Sequence, residues 1–180
     1  PTAGRHPPRC FMGPLALEGL RHNRVVIKAG TSVLTKPPEH RGLNLELMDG
    51  LVGQVCELRR AGVETLLVTS GAIAAGREVL GTGPERQLRD IPTRQVMAAV
   101  GPSQLMHTYQ QMFASRGFQV AQTLLTTNDL SHRQSYLNVR NTLRGLLELG
   151  VVPIVNENDV VAVDEIGEVF GDNDRLSALV

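Results

Sequence analysis

Val25-Val26-Ile27-Lys28-Ala29-Gly30-Thr31-Ser32 is a short β-branched run that stops at a lysine and passes at once into a small-residue turn. Three β-branched residues suit a pleated surface, and the run is too short for a helix, so it reads as a buried strand. Lys28 is one of two lysines among eighteen basic residues. It stands where the strand should leave the sheet, and Gly30 lets backbone N–H groups come close to a ligand. In an open α/β sheet the carboxyl ends of the strands are where ligands bind. Taken alone, the eight residues admit two readings: a phosphate cradle, or a strand ending in a solvated lysine and a turn.

Working outward, strand and helix patterns alternate. The stretch 35–42 is a loop by composition, and Asn44 offers an N-cap. Leu47, Leu51, Val55 and Leu58 then recur at helical spacing up to Gly62. Residues 64–69 form a second strand, which turns through Ser70-Gly71 straight into a helix ending near Leu80. A mobile-looking stretch covers Gly81 to Pro92, and a long helix runs from about Thr93 to Ser115. A third strand covers 119–125. Asn128 or Asp129 caps a helix over about 132–149, and Val151-Val152-Pro153-Ile154-Val155 is a fourth strand. Pro153 argues for an edge or a bulge there. The order β-α-β-α-α-β-α-β predicts an α/β fold, a three-layer αβα sandwich with a mostly parallel sheet.

Composition narrows the function. The 180 residues carry eighteen Lys and Arg against eighteen Asp and Glu, and only 3% aromatics. That balance argues against nucleic acid or an anionic membrane as a partner, and against base-stacking platforms. Cys10 and Cys56 form no CxxC pair and no disulfide framework, which points to a reducing, cytoplasmic setting. No apolar run reaches membrane-spanning length. Residues 1–23 read as a disordered leader rich in Pro and Gly, with Met12 as an alternative natural start. Residues 24–180 read as one domain, and Asp174 to Val180 opens like a helix and stops without a C-cap, so the chain is expected to be cut within its fold.

The residues just past each strand carry the chemistry. Strand one leads into Lys28-Ala29-Gly30-Thr31-Ser32 and strand two into Thr69-Ser70-Gly71-Ala72. Strand four leads into Asn156-Glu157-Asn158-Asp159, with Gly171-Asp172-Asn173-Asp174 soon after. Parallel strands bring these ends to one edge, where hydroxyl, amide, acidic and ammonium groups converge. Each piece has a bland reading: Ser70-Gly71 as an N-cap and tight turn, Asp172 to Asp174 as a capping turn, 156–159 as a solvated loop. It is the joint pattern that is informative.

Several familiar sites are excluded. Gly71 to Glu78 has the glycine spacing of a P-loop, but Arg77 and Glu78 replace its Lys and Ser/Thr. Gly81-Thr82-Gly83 lacks the third glycine of a dinucleotide fingerprint and comes after no strand. The five histidines have no metal-ligand spacing, and His107 reads as a helix-surface residue.

Assembled, the motifs resemble the glutamate 5-kinase family of the amino-acid kinase superfamily. The resemblance is carried by Val26 to Thr35, Val68 to Gly76, Val152 to Asp159 and Gly171 to Leu179, and it covers about residues 24–180. Ala29, where the family favours Leu or Val, and a slightly long stretch from Asp164 to Phe170 depart from the pattern. The resemblance implies transfer of the ATP γ-phosphoryl group to the side-chain carboxylate of L-glutamate, the first step of proline synthesis, with magnesium brought in by ATP. It implies that Lys28 contacts the transferred phosphoryl group, with Gly30 and Thr31 as its backbone cradle. It assigns glutamate binding to Ser70, Asp159 and Asn173, with Asn156, Asp172 and Asp174 in support. It further implies a homo-oligomer, and proline as a feedback inhibitor at or overlapping the glutamate site. A carboxylate nucleophile with a pKa of about 4.3 needs no general base, which agrees with the lack of a placed histidine. The family's later nucleotide-holding segments do not occur in this sequence, so the 180 residues alone are expected to be inactive. The alternatives are a sibling kinase for acetylglutamate, aspartate or a nucleotide, the kinase half of a bifunctional enzyme, and a non-catalytic glutamate or proline sensor.

Overall fold

The computed structural model describes residues 22–36, 42–81, 91–161 and 172–180. Four strands, β1 (Arg24–Ala29), β2 (Glu64–Thr69), β3 (Val120–Leu125) and β4 (Val152–Glu157), form an all-parallel sheet in the order β1-β2-β4-β3. The helices are α1 (Thr31–Leu34), α2 (Leu45–Arg60), α3 (Ala72–Leu80), α4 (Ile91–Ala114), α5 (Thr127–Ser131), α6 (Arg133–Glu148) and α7 (Asp172–Leu179). The anticipated leader up to residue 21, and 82–90 of the stretch read as mobile, lie outside the described residues.

The chain steps across the sheet from β1 through β2 to β3, then returns to β4 between them. Right-handed crossovers therefore put α2, α3 and α4 on one face and α6 on the other. Alternation along the strands feeds both sides. Leu67 and Ile154 join Met48, Val52, Val55, Leu105, Tyr109 and Phe113 in one core, whereas Leu66, Val68 and Val155 join Leu143 and Leu176 in the second. A strand buried on both faces reads as a continuous apolar run, which Leu66-Leu67-Val68 shows at the centre of β2.

Several local expectations are corrected. β1 is not a buried strand: among the described residues it pairs only with β2, and alternate residues up to Lys28 face solvent. Nor does it stop at the lysine, because parallel pairing with β2 carries on through Lys28 to Ala29. Pro153 lies in an interior strand rather than at an edge or bulge. The Val152 N–H points to the β3 side, bonding Gln119 O at 2.9 Å, so the proline nitrogen points to the β2 side. Pairing with β2 begins only at Ile154, so no ladder bond is lost.

Asn156 and Glu157 are the last two residues of β4, held by pairing with Leu124 and Leu125, and not part of the loop beyond it. α2 starts as expected, with Asn44 Oδ1 accepting the Leu47 N–H at 3.2 Å. Its buried face is Met48, Val52, Val55 and Cys56, while Leu47 is exposed. Apolar residues on two adjacent helical rows leave the helix rotation open, and docking against the sheet decides it. α4 begins at Ile91 rather than Thr93, since Pro92 in a first turn forfeits no helical hydrogen bond.

Neither Asn128 nor Asp129 caps α6, whose N-cap is His132 with no side-chain cap bond; both lie in the separate short helix α5, which Thr126 caps. Asp129 Oδ2 accepts from both the Thr126 N–H and its hydroxyl at 2.7 Å, and the Asp129 N–H donates back to Thr126 Oγ1 at 3.2 Å. The Thr126 hydroxyl, then the Thr126 N–H, hold the Asp129 carboxyl below its usual range. A depressed folded-state value stabilises the fold above the unfolded pKa, and that contribution is lost as pH falls through the folded one. Asp129→Asn should cost about 1 kcal/mol at neutral pH, the typical worth of a cap. Urea unfolding of variant and parent should converge only as pH falls below the ordinary aspartate range and through the depressed folded-state value, where the parent carboxylate also protonates.

Candidate functional site

The carboxyl ends of β1, β2 and β4 meet the start of α7. Lys28 is the penultimate residue of β1, paired with Val68, and its side chain folds back over the turn beyond the strand. A Cβ at Gly30 would lie 3.0 Å from Lys28 Nζ, so glycine at that place leaves room for the ammonium. Gly30 has ordinary extended dihedrals, which makes proximity to Lys28, and not backbone strain, the reason for it. The turn itself is one helical turn, α1, in which Val33 and Leu34 donate to the Gly30 carbonyl at 3.0 and 3.1 Å. Thr31 and Ser32 are exposed at its start. Lys28 Nζ lies 2.8 Å from Asp174 Oδ1; the two side chains are 35% and 72% exposed, so the pair leaves the ammonium open to a further anion.

Ser70 sits between the end of β2 and Gly71, whose φ of +94° turns the chain directly into α3. That left-handed conformation strongly favours glycine. Asn173, on the first turn of α7, reaches back across the site. Its Nδ2 donates to Ser70 Oγ at 2.9 Å and to Asn156 Oδ1 at 3.3 Å. Asn156 is 3% exposed, and its amide oxygen is satisfied by this contact. Among the described residues the buried Asn173 Oδ1 has no hydrogen-bond partner. An orphaned buried acceptor costs about 1–3 kcal/mol, and an incoming ammonium or amide N–H would relieve it.

The expected site residues therefore divide. Lys28 and Asp174 form an ion pair, and Ser70, Asn156 and Asn173 form a hydrogen-bonded cluster. Gly30 and Thr31 shape the turn beside Lys28. Asp159 is half-buried in the turn after β4, and Asp172 opens α7. His107 is exposed on α4, as anticipated. Among the described residues no three His, Cys, Asp or Glu side chains gather as metal ligands, and no helix is long and apolar enough to cross a membrane.

Three residues that support the site were not singled out from the sequence. Thr69 Oγ1 bonds the Tyr109 hydroxyl at 2.8 Å inside the core. Glu78, which only spoiled the P-loop pattern, accepts the Leu43 N–H at 3.2 Å and ties the chain entering α2 to α3. Each partner is 35 or more residues away in sequence, so no local spacing could reveal it. Burial, partly offset by the bond to Thr69, pushes the Tyr109 phenol up to about 12. A raised folded value means that its stabilisation is complete below the ordinary tyrosine range and is lost as pH rises through about 12. At neutral pH the phenol is a protonated donor.

The amino acid kinase family model matches residues 23–180. A glutamate 5-kinase of Dehalococcoides mccartyi is 54% identical over 166 residues, which is 91% of this chain and 43% of that protein. One of Geobacter sulfurreducens is 52% identical over 157 residues, 87% of this chain and 40% of that protein. One of Thermus thermophilus is 50% identical over 162 residues, 90% of this chain and 42% of that protein. The chain thus spans about two fifths of the length of these curated relatives. With the match running from β1 through α7, and the parallel sheet delivering its strand ends to one edge, the chain belongs to the amino acid kinase family.

Proposed function

We propose that this chain supplies the acceptor side and the phosphoryl-directed lysine of a glutamate 5-kinase, which transfers the γ-phosphoryl group of ATP to the side-chain carboxylate of L-glutamate. The observation that carries this reading is the convergence at one sheet edge of the Lys28 ammonium with the Ser70–Asn156–Asn173 cluster. The names of the relatives at 50–54% identity support it.

The chemistry fits these residues. The acceptor carboxylate is ionised at neutral pH, so the barrier lies in bringing two anions together rather than in removing a proton. Lys28 meets that need as a cation aimed at the transferred group, and Asp174 holds it in place at 2.8 Å. The turn from Gly30 to Ser32 offers leading N–H groups that have no partner within a helical turn. The Asn173 Oδ1, flanked by Ser70 and without a partner among the described residues, suits the α-ammonium of an amino acid, and Asp159, in the turn after β4, would add a carboxylate for the same group. Asn156 would steady Asn173, and Asp172 keeps the supporting role that the family resemblance implies. Magnesium would enter with ATP. Proline, an amino acid with its own ammonium and carboxylate, would compete at this cluster as a feedback inhibitor. A homo-oligomer in a reducing cytoplasm completes the reading; the free buried Cys56 accords with that compartment.

The test is acyl-phosphate formation from L-glutamate, ATP and magnesium, trapped as the hydroxamate. The 180-residue chain alone should show at most a trace. Joined to the remaining length of the Dehalococcoides mccartyi relative, it should turn over glutamate and discriminate against aspartate and acetylglutamate. Preference for either of those acceptors by the joined protein would overturn the substrate assignment.

A further inference from the structure

Ser70 is fixed on three sides. Its N–H donates to Ala29 O at 3.0 Å, its side-chain oxygen accepts from Asn173, and its carbonyl accepts from Thr69 Oγ1 at 3.1 Å. The third contact continues inward, because Thr69 Oγ1 also lies 2.8 Å from the Tyr109 hydroxyl on α4. A threonine hydroxyl has one proton. With that proton committed to the Ser70 carbonyl, the Tyr109 hydroxyl must donate to Thr69 Oγ1, and the chain of bonds has a single direction. Thr69 is 1% exposed and Tyr109 fully buried, so water cannot substitute for the bond between them, while the bond to the Ser70 carbonyl is part-buried. A Val and Phe pair of the same shape would remove both members of the inner bond at nearly no cost, and the part-buried Ser70 carbonyl left over could turn to water. Two hydroxyls at this place therefore serve orientation more than stability.

We propose that Tyr109 and Thr69 are positioning residues for the amino-acid side of the site: the bonds from Tyr109 to Thr69 to the Ser70 carbonyl set the Ser70–Gly71 peptide, and so the Ser70 hydroxyl that Asn173 holds. The proposal rests on the reading of this cluster as the glutamate site. Neither residue touches the ligand. The relay carries the position of α4, at the centre of one core, to the end of β2, where Gly71 has no side-chain packing of its own to hold the turn.

The test compares Tyr109→Phe, Thr69→Val, Thr69→Ser and the double variant Tyr109→Phe/Thr69→Val in the 180-residue chain. Two measurements are made: L-glutamate affinity by calorimetry, and residue-resolved amide exchange. Tyr109→Phe and Thr69→Val should each weaken glutamate binding about five- to tenfold, the worth of one buried hydrogen bond. Thr69→Ser, which keeps the hydroxyl, should stay within about twofold, and the double variant should lose no more than the worse single, as members of one network do. Exchange at the Ser70 and Gly71 amides should quicken by about tenfold in the weakened variants while mid-strand Val68 is unchanged.

A uniform change across β2, or unaltered glutamate affinity in Thr69→Val, would overturn the proposal and leave the pair a packing feature. If Tyr109→Phe does not fold, the Thr69→Ser and Thr69→Val comparison decides alone. If the unsubstituted chain binds no glutamate, the substrate reading fails instead, and the exchange pattern at Ser70 and Gly71 then judges the relay by itself.

Discussion

Gly101→Ala should destabilise this chain severely, the larger of the two effects on stability expected at the α3–α4 crossing. α3 and α4 cross through a reciprocal contact of two glycines. A Cβ on Gly101 would drive into the Ala72 carbonyl of α3, and a Cβ on Gly76 would drive into the Met97 carbonyl of α4. In both cases the obstacle is backbone, which cannot rotate away as a side-chain tip can, so the helices would have to separate. Overpacking of this kind costs about 1–3 kcal/mol where side chains can yield, and more where they cannot. That is a large share of a typical stability of about 5–15 kcal/mol. The damage would also reach the site, since α3 begins at Gly71 beside Ser70 and α4 carries Tyr109. Thermal unfolding followed by circular dichroism should show either no cooperative transition or one lowered by more than about ten degrees. Gly145→Ala on α6 is the matched control: nothing lies within 4 Å of its added Cβ, so it should be neutral or stabilise by up to about 1 kcal/mol. A Gly101→Ala variant as stable as the parent would mean that α3 and α4 are held far less closely than this glycine contact requires.

Lys28→Ala should all but abolish phosphoryl transfer while sparing the fold and the affinity for glutamate. Among the described residues β1 pairs only with β2, the Lys28 side chain is partly open, and its ammonium pairs with a mostly exposed carboxylate, so little stability hangs on it. Its part in the proposed reaction is to meet charge on the transferred group, and loss of one such contact lowers turnover by about 10²–10³-fold. The expected pattern in the joined protein is a collapse of kcat with KM for glutamate changed by less than about threefold, the signature of a contact made to the transition state rather than to the acceptor. Lys28→Arg should not rescue it, because a planar guanidinium cannot occupy the small space beside Gly30 that an ammonium fills. The outcome also separates the two classes of function. A sensor for glutamate or proline would lose nothing at this position, so unchanged kcat in Lys28→Ala would remove the lysine from the chemistry.

Much of the architecture was legible because it is periodic. Alternating apolar runs and helical spacings placed four strands and the main helices, and right-handed crossover connection made the sheet parallel and its carboxyl edge the site. Apart from two local misses, the Thr126 cap and the start of α4, what failed depends on a neighbour distant in the chain. Pro153 looked like an edge residue because the sequence does not show that β2 pairing starts one residue later, at Ile154. Val25 to Ile27 looked fully buried because β-branched composition does not distinguish an interior strand from an edge one. The row Leu47, Leu51, Val55, Leu58 was a sound helix signal, but the rotation that buries Met48, Val52 and Cys56 is chosen by the sheet it packs on.

The same division runs through the site. By itself the sequence determined which groups are present: a lysine at a strand end, a glycine beside it, and Ser70, Asn156 and Asn173 with their acidic neighbours, because those types come directly after strands whose ends share an edge. Only the tertiary structure decided how they are joined. It sets Asn173 between Ser70 and Asn156 with one oxygen unpaired among the described residues, and brings Asp174 onto Lys28. It also ties Ser70 to the core through Thr69 and Tyr109. The reason is that a hydrogen bond needs a partner within about 3 Å, and separations of 40 residues for Thr69 and Tyr109 and 103 for Ser70 and Asn173 are closed by packing alone.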